Sequence, residues 1–147
     1  MPLVLANLAA TGMLIGLVWV VQLVHYPLFA AVGSAAWPSY AAGHGRRITV
    51  LVLPWMTTEL LTSLALVRWR PAIVGAAEAW TGVALVGVLW ASTALWQGPL
   101  YTRLAAAWDP VTHRHLVRSN WVRTAAWTAR GVLLLWILGR TLRAQAG

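Results

Sequence analysis

Residues Leu3–Phe29 read LVLANLAATGMLIGLVWVVQLVHYPLF, a run without a single Asp, Glu, Lys or Arg. At 1.5 Å per residue such a run makes a helix of about 40 Å, which exceeds the roughly 30 Å of hydrocarbon in a bilayer. No basic residue precedes it, and it outlasts the apolar region of a signal peptide, so the expectation is a retained first membrane helix. Gly12 and Gly16 form a GxxxG pair within it, a pattern that permits close helix approach or simple packing.

Three further spans follow by the same reasoning. The second is expected from Trp37 to Trp69, with Pro38 in its first turn, Pro54 as an internal kink and an apolar part beginning at Ile48. The third covers Ala72 to Trp96 and is expected to end before Gly98-Pro99. The fourth opens on Asp109-Pro110, an N-cap followed by proline, and runs to Arg143 with three polar turns at its start. Composition agrees, since 60% of the 147 residues are hydrophobic and 10% charged, with a mean hydropathy of +0.69. The fold class is therefore all-α, a four-helix transmembrane bundle forming one integral membrane domain over residues 1–147. Its first partner is the lipid bilayer.

The net charge of +8 does not signal a nucleic-acid partner, because the arginines lie between apolar segments. Arg46, Arg47, Arg103, Arg114 and Arg118 fall on one side and Arg68, Arg70, Arg140 and Arg143 on the other, a small bias that puts both termini outside. Cysteine is absent, which excludes thiolate metal sites and a Cys nucleophile. Six of the eleven tryptophans lie near span boundaries as interfacial anchors, while Trp19, Trp55, Trp90, Trp127 and Trp136 lie deeper and are candidates for bundle packing or an aromatic cavity.

The two halves also correspond. At an offset of 72 residues Pro27-Leu28-Phe29 falls on Pro99-Leu100-Tyr101, Arg46 on Arg118, Trp55 on Trp127 and Arg68 on Arg140. This points to a duplicated two-helix hairpin, with pseudo-repeats over about residues 1–71 and 72–147.

Polar residues within the apolar spans are the functional candidates, because in hydrocarbon they turn towards the bundle interior. Asn7, Thr11, Gln22 and His25 share one stripe of the first helix, and His44 and Glu59 one stripe of the second. His113, Asn120, Arg123, Trp127 and Arg130 share a face of the fourth, with His115 and Arg118 pointing away. Glu59 and Arg130 also agree in depth, which predicts a buried ion pair or a shared polar ligand. The candidate ligand-binding set is thus Gln22, His25, His44, Glu59, Asn120, Arg123 and Arg130, with no metal site assigned and the cofactor left unknown. Haem or zinc ligation is weakly signalled: there is no HExxH, and His113 and His115 point to opposite sides of their helix. No GxSxG nucleophile context or phosphate-binding glycine loop is present.

The segment Val24-His25-Tyr26-Pro27-Leu28-Phe29, then Tyr40, His44, Arg47, Pro54 and Glu59, then Asn120-Trp121-Val122-Arg123-Thr124 with Trp127 and Arg130, resembles a family of small bacterial four-helix membrane proteins without an assigned function. More distantly the chain resembles the anthrone oxygenase-like group, which shares four spans and an Arg-containing last helix. The first resemblance implies a bacterial cytoplasmic membrane. The second implies oxygenation of an aromatic or polyketide-like substrate without a bound metal. Independently of that resemblance, an oxidoreductase or oxygenase acting at the polar site would use His25 or His44 as acid or base and Arg123 or Arg130 to hold developing negative charge.

The expected function is binding of a small amphipathic or aromatic, hydrophobic ligand at a polar, Trp-lined site open to one membrane face, with oxygenase or oxidoreductase chemistry as its enzymatic form. The alternative is a non-enzymatic subunit or carrier in which the same polar residues lock the helices together. Oligomeric state and complex partners are left open.

Overall fold

The computed structural model describes residues 2–146 and consists of four long helices. Helix α1 covers Pro2–Ala31, α2 Trp37–Arg68, α3 Ala76–Ala106 and α4 Pro110–Ala146. No strand occurs among the described residues. The first three helices are each long and apolar enough to cross a membrane, which makes this a membrane protein. Helix α4 is longer still but carries six arginines, so its composition is less apolar.

The helices alternate in direction and form a ring in which α1 packs on α2 and α4, and α3 on α2 and α4. Three layers of buried side chains fill its length. At one end Val4, Leu66, Val74, Ala79 and Ile137 meet. The middle holds Leu14, Val18, Met56, Leu89, Ala126 and Trp127. The other end is an aromatic cluster around Phe29 and Trp37, closed by Leu104 and Leu116. Each layer draws on all four helices or the turns joining them, so the hairpins share one core.

The third helix departs from expectation by passing its Xaa-Pro pair, and the first, expected to run to Phe29, passes its own in the same way. The first helix continues through Tyr26-Pro27 to Ala31, and the third continues through Gly98-Pro99 to Ala106. In each, a five-residue π-turn stands immediately before the Xaa-Pro pair, at Val21–His25 and Thr93–Gln97. The N–H of Tyr26 donates to the carbonyl of Val21 and that of Gly98 to Thr93, both five residues back. This wider turn accommodates a proline ring that would otherwise press on the preceding turn. The two π-turns are also 72 residues apart, the offset at which the sequence halves correspond. Pro54 likewise lies inside α2 without ending it.

The connections are short. Gly33, at φ +81°, supplies the left-handed residue of the turn between α1 and α2. Asp109 caps α4 by accepting from the N–H groups of Val111 and Thr112 and the Thr112 hydroxyl. The Thr112 bonds hold its carboxyl below the ordinary carboxylate range. At the opposite end Glu78 accepts from the Gly75 N–H and pairs with Arg140 at 2.8 Å. The Trp37 indole N–H donates to the carbonyl of Leu104, tying the start of α2 to the end of α3.

Lipid chains solvate leucine as well as a protein interior does, so the inner face of the bundle is held by packing and not by transfer from water. Leu14→Ala, at a fully buried position, should cost about 1–3 kcal/mol in lost packing. Leu61→Ala, on the outer face, should be close to neutral. Unfolding of both variants in mixed micelles checks the difference, and equal effects would contradict the orientation of α1 and α2.

Candidate functional site

Two polar assemblies lie inside the bundle at different levels. The deeper one surrounds Arg130, which is only 2% exposed, and Glu59, which is 1% exposed. Arg130 Nε donates to Glu59 Oε1 at 2.8 Å and to Thr11 Oγ1 at 3.3 Å. Its Nη1 donates to the Gly82 carbonyl at 2.6 Å, and its Nη2 to Asn7 Oδ1 at 2.9 Å and Ser63 Oγ at 2.5 Å. Glu59 also accepts from the Thr11 hydroxyl at 2.7 Å and from the Trp127 indole N–H at 3.0 Å. All four helices converge on one ion pair with every nitrogen of the guanidinium engaged. The expected Glu59–Arg130 pair is formed.

Glycine at position 82 leaves room for this arrangement. A Cβ there would stand 3.0 Å from Arg130 Nη1, against the group that the Gly82 carbonyl receives. Asn7, Thr11, Ser63, Gly82 and Trp127 are the members of this assembly outside the candidate set. Asn7 was legible in its polar stripe, but nothing in the sequence separates Gly82 from Gly75 or Gly87.

The second assembly lies nearer the aromatic end. Arg123 donates from Nε to Asn120 Oδ1 at 2.8 Å and from Nη2 to the same oxygen and to Tyr26 Oη, the latter at 3.2 Å. Asn120 donates to Gln22 Oε1 at 2.9 Å, and Gln22 donates to the Val117 carbonyl at 3.3 Å. Gln97 makes the matching link from α3, accepting from Ser92 and donating to the Ser119 carbonyl at 3.0 Å. His113 Nε2 lies 2.7 Å from the Tyr26 carbonyl, which only accepts, so this nitrogen carries the hydrogen. His115 and Arg118 are exposed, as their side of α4 predicts.

His25 and His44 meet edge to face, with ring centroids 5.7 Å apart. The Tyr101 hydroxyl hydrogen points to the Ala41 carbonyl at 2.8 Å, so His44 Nδ1, 2.9 Å from the same oxygen, is the donor of that pair. His44 Nε2 and His25 Nδ1 are buried without a hydrogen-bond partner. Among the described residues no group of three His, Asp or Glu side chains gathers around a common point.

Next to the second assembly is a cavity of about 310 Å³, at the lower end of the range for small-molecule sites. Its wall is amphipathic along the bundle axis. Tyr26, His44, Gln97, Tyr101 and Arg123 form the end nearer the aromatic cluster, and Leu14, Val18, Met56 and Trp127 the deeper end. Thr49 and Leu53 of α2 and Gly98 and Thr102 of α3 are its exposed members, so it opens sideways between these helices. A shallow furrow along Thr49, Leu53, Pro54 and Thr57 continues from that mouth. Gly45 lets the Tyr101 ring approach α2, since a Cβ there would lie 3.1 Å from the ring.

The cavity takes in part of the expected set. Of the seven candidate residues only His44 and Arg123 line it. Gln22 and Asn120 stand behind Arg123 and orient it, His25 backs His44, and Glu59 and Arg130 are enclosed below with their hydrogen bonds made inside the protein. The wall is more apolar than polar, and Trp127 is its single tryptophan. Trp19 and Trp136 lie at the outer surface, because their positions on α1 and α4 turn away from the core. Tyr26 and Tyr101 supply the rings that tryptophan was expected to supply. Both flank the Xaa-Pro-Leu repeats, which was the available signal.

Breaking a buried pair by removing one partner strands a charge, at a cost of about 3–5 kcal/mol. Glu59→Gln and Arg130→Gln should each lower stability by that order, and the double variant by clearly less than their sum. A double-mutant cycle of unfolding in detergent reads the coupling, and additivity would show that the two side chains do not interact. Comparison of the chain with family models, with curated proteins and with solved structures finds no match, so a functional reading rests on the cavity and the residues around it.

Proposed function

We propose that this chain is a multi-pass protein of the bacterial cytoplasmic membrane that binds a small amphipathic ligand in the cavity between its helices. Helix α4 serves as the fourth span: its deep arginine is neutralised by Glu59, and its exposed cations, Arg114, Arg118 and Arg143, lie towards its ends. The observation that carries the binding reading is the graded wall. Polar groups at one end and leucine, valine, methionine and indole at the other match a molecule with one polar end and an apolar body. The lateral mouth lets such a molecule enter from the bilayer.

The interhelical bonds of Gln22, Asn120, Glu59 and Arg130 favour the structural role for these four side chains, as in a non-enzymatic carrier or subunit. Acid–base chemistry on a bound aromatic, the enzymatic reading, draws its support from the unpartnered nitrogens of His25 and His44 beside the cavity. A carrier and an enzyme both require the cavity to be occupied, whereas a purely structural subunit does not.

Val52 lies on the cavity wall and is partly buried. Val52→Trp should fill the space while leaving the Glu59–Arg130 assembly intact. Mass spectrometry of extracts from protein purified in mild detergent should find an amphipathic small molecule with the parent and lose it with Val52→Trp at unchanged helicity. The same species on both proteins, or none on the parent, would overturn the assignment.

A further inference from the structure

Resting on that binding reading, we infer that the ligand is an anionic amphiphile whose carboxylate or equivalent acidic head completes the hydrogen bonding of Arg123. The chain contains only three carboxylate side chains, Glu59, Glu78 and Asp109. Each is committed elsewhere: Glu59 to Arg130, Glu78 to Arg140, and Asp109 to the first turn of α4. Arg123 therefore has no side-chain counter-ion. Its protein acceptors, Asn120 and Tyr26, are uncharged.

The donor count leads to the same place. A guanidinium offers five N–H groups in a rigid fork. Nε and Nη2 of Arg123 are taken up by Asn120 and Tyr26, whereas Nη1 donates to no protein atom among the described residues. Arg123 lines the cavity, so these free donors belong to a cationic group at its polar end. In a low-dielectric setting a cation without a counter-ion is costly, and an anion placed against it restores the balance. Arg130, on the same helix, has its carboxylate and all its acceptors supplied from within.

The support behind Arg123 is that of a positioned group. Asn120 holds both its Nε and its Nη2, and is itself fixed by Gln22, which is fixed by the Val117 carbonyl. A side chain held at two nitrogens presents the third in a defined direction. From that polar end the wall runs through Val18 to Leu14, Met56 and Trp127, which suits a short acyl or aromatic body.

Decanoate, decanol and decyltrimethylammonium share a ten-carbon chain and differ in head charge, which isolates the head-group term. Binding is read by thermal stabilisation and by tryptophan fluorescence of the purified full chain in a non-ionic detergent. Decanoate should bind about tenfold more tightly than decanol, the order expected for a charge-assisted hydrogen bond, and the cation least. Arg123→Gln should bring decanoate and decanol to within about twofold, Arg123→Lys should restore part of the preference, and Arg118→Gln, on the exposed face, should retain all of it. Equal binding of decanoate and decanol by the parent, both abolished by Val52→Trp, would overturn the anionic assignment while the cavity reading stands. Absence of binding by all three probes would overturn both. A preference for decanoate that survives in Arg123→Gln would also overturn the inference, since the selectivity would then arise elsewhere.

Discussion

The Glu59–Arg130 ion pair is the constraint around which the bundle is arranged. Neither ion is tolerable alone in hydrocarbon, and together they require further donors and acceptors because a carboxylate and a guanidinium have more hydrogen-bonding positions than one contact satisfies. Those positions are filled from every helix: Asn7 and Thr11 from α1, Ser63 from α2, the Gly82 carbonyl from α3 and the Trp127 indole from α4. Between apolar helices in lipid there is little transfer energy to fix register, so a polar centre with directional bonds does what a soluble core does by burial. Sliding any one helix by a residue would leave part of this centre unsatisfied.

That centre also determines where a cavity is possible. Around the ion pair the helices are drawn close, and a Cβ at position 82 of α3 would crowd Arg130 Nη1. Towards the aromatic end the π-turns before Pro27 and Pro99 change the helical phase, and Phe29 packs against the rings of Trp37 and Tyr101. Space remains between these two levels. Trp127 belongs to both, donating to Glu59 while its ring forms part of the cavity wall. The cavity wall is thereby one side chain away from the ion pair that organises the fold.

The parts of this arrangement differ in how well the sequence displayed them. Long uncharged runs bounded by arginine and proline identify helices because only a helix satisfies its backbone within one segment in lipid, and a Glu and an Arg at matching depth identify a pair because a lone charge there is costly. The continuation of the third helix past Gly98-Pro99 was not legible, since a π-turn leaves no compositional mark and proline ordinarily signals termination. The division of the polar stripe was equally hidden. Periodicity places Gln22, Asn120 and Arg123 on inward faces, yet whether an inward side chain meets another helix or open space depends on packing among all four. The deep tryptophans show the same limit: Trp127 and Trp136 are both central in their apolar run, but only Trp127 turns inward.

The two inward arginines of α4 define what distinguishes a structural from a binding role here. They lie seven residues apart, two turns on one face, and both have hydrogen-bonded supports from other helices. Arg130 is given a carboxylate, and each of its nitrogens meets an acceptor inside the protein. Arg123 is given an amide oxygen and a phenol, and its remaining nitrogen faces a cavity. Structural rigidity alone would favour satisfying both alike, because an unsatisfied donor in an apolar setting destabilises the fold. The asymmetry is the ground on which the binding proposal rests: Arg123 is the inward cation of α4 to which no carboxylate of the chain is paired.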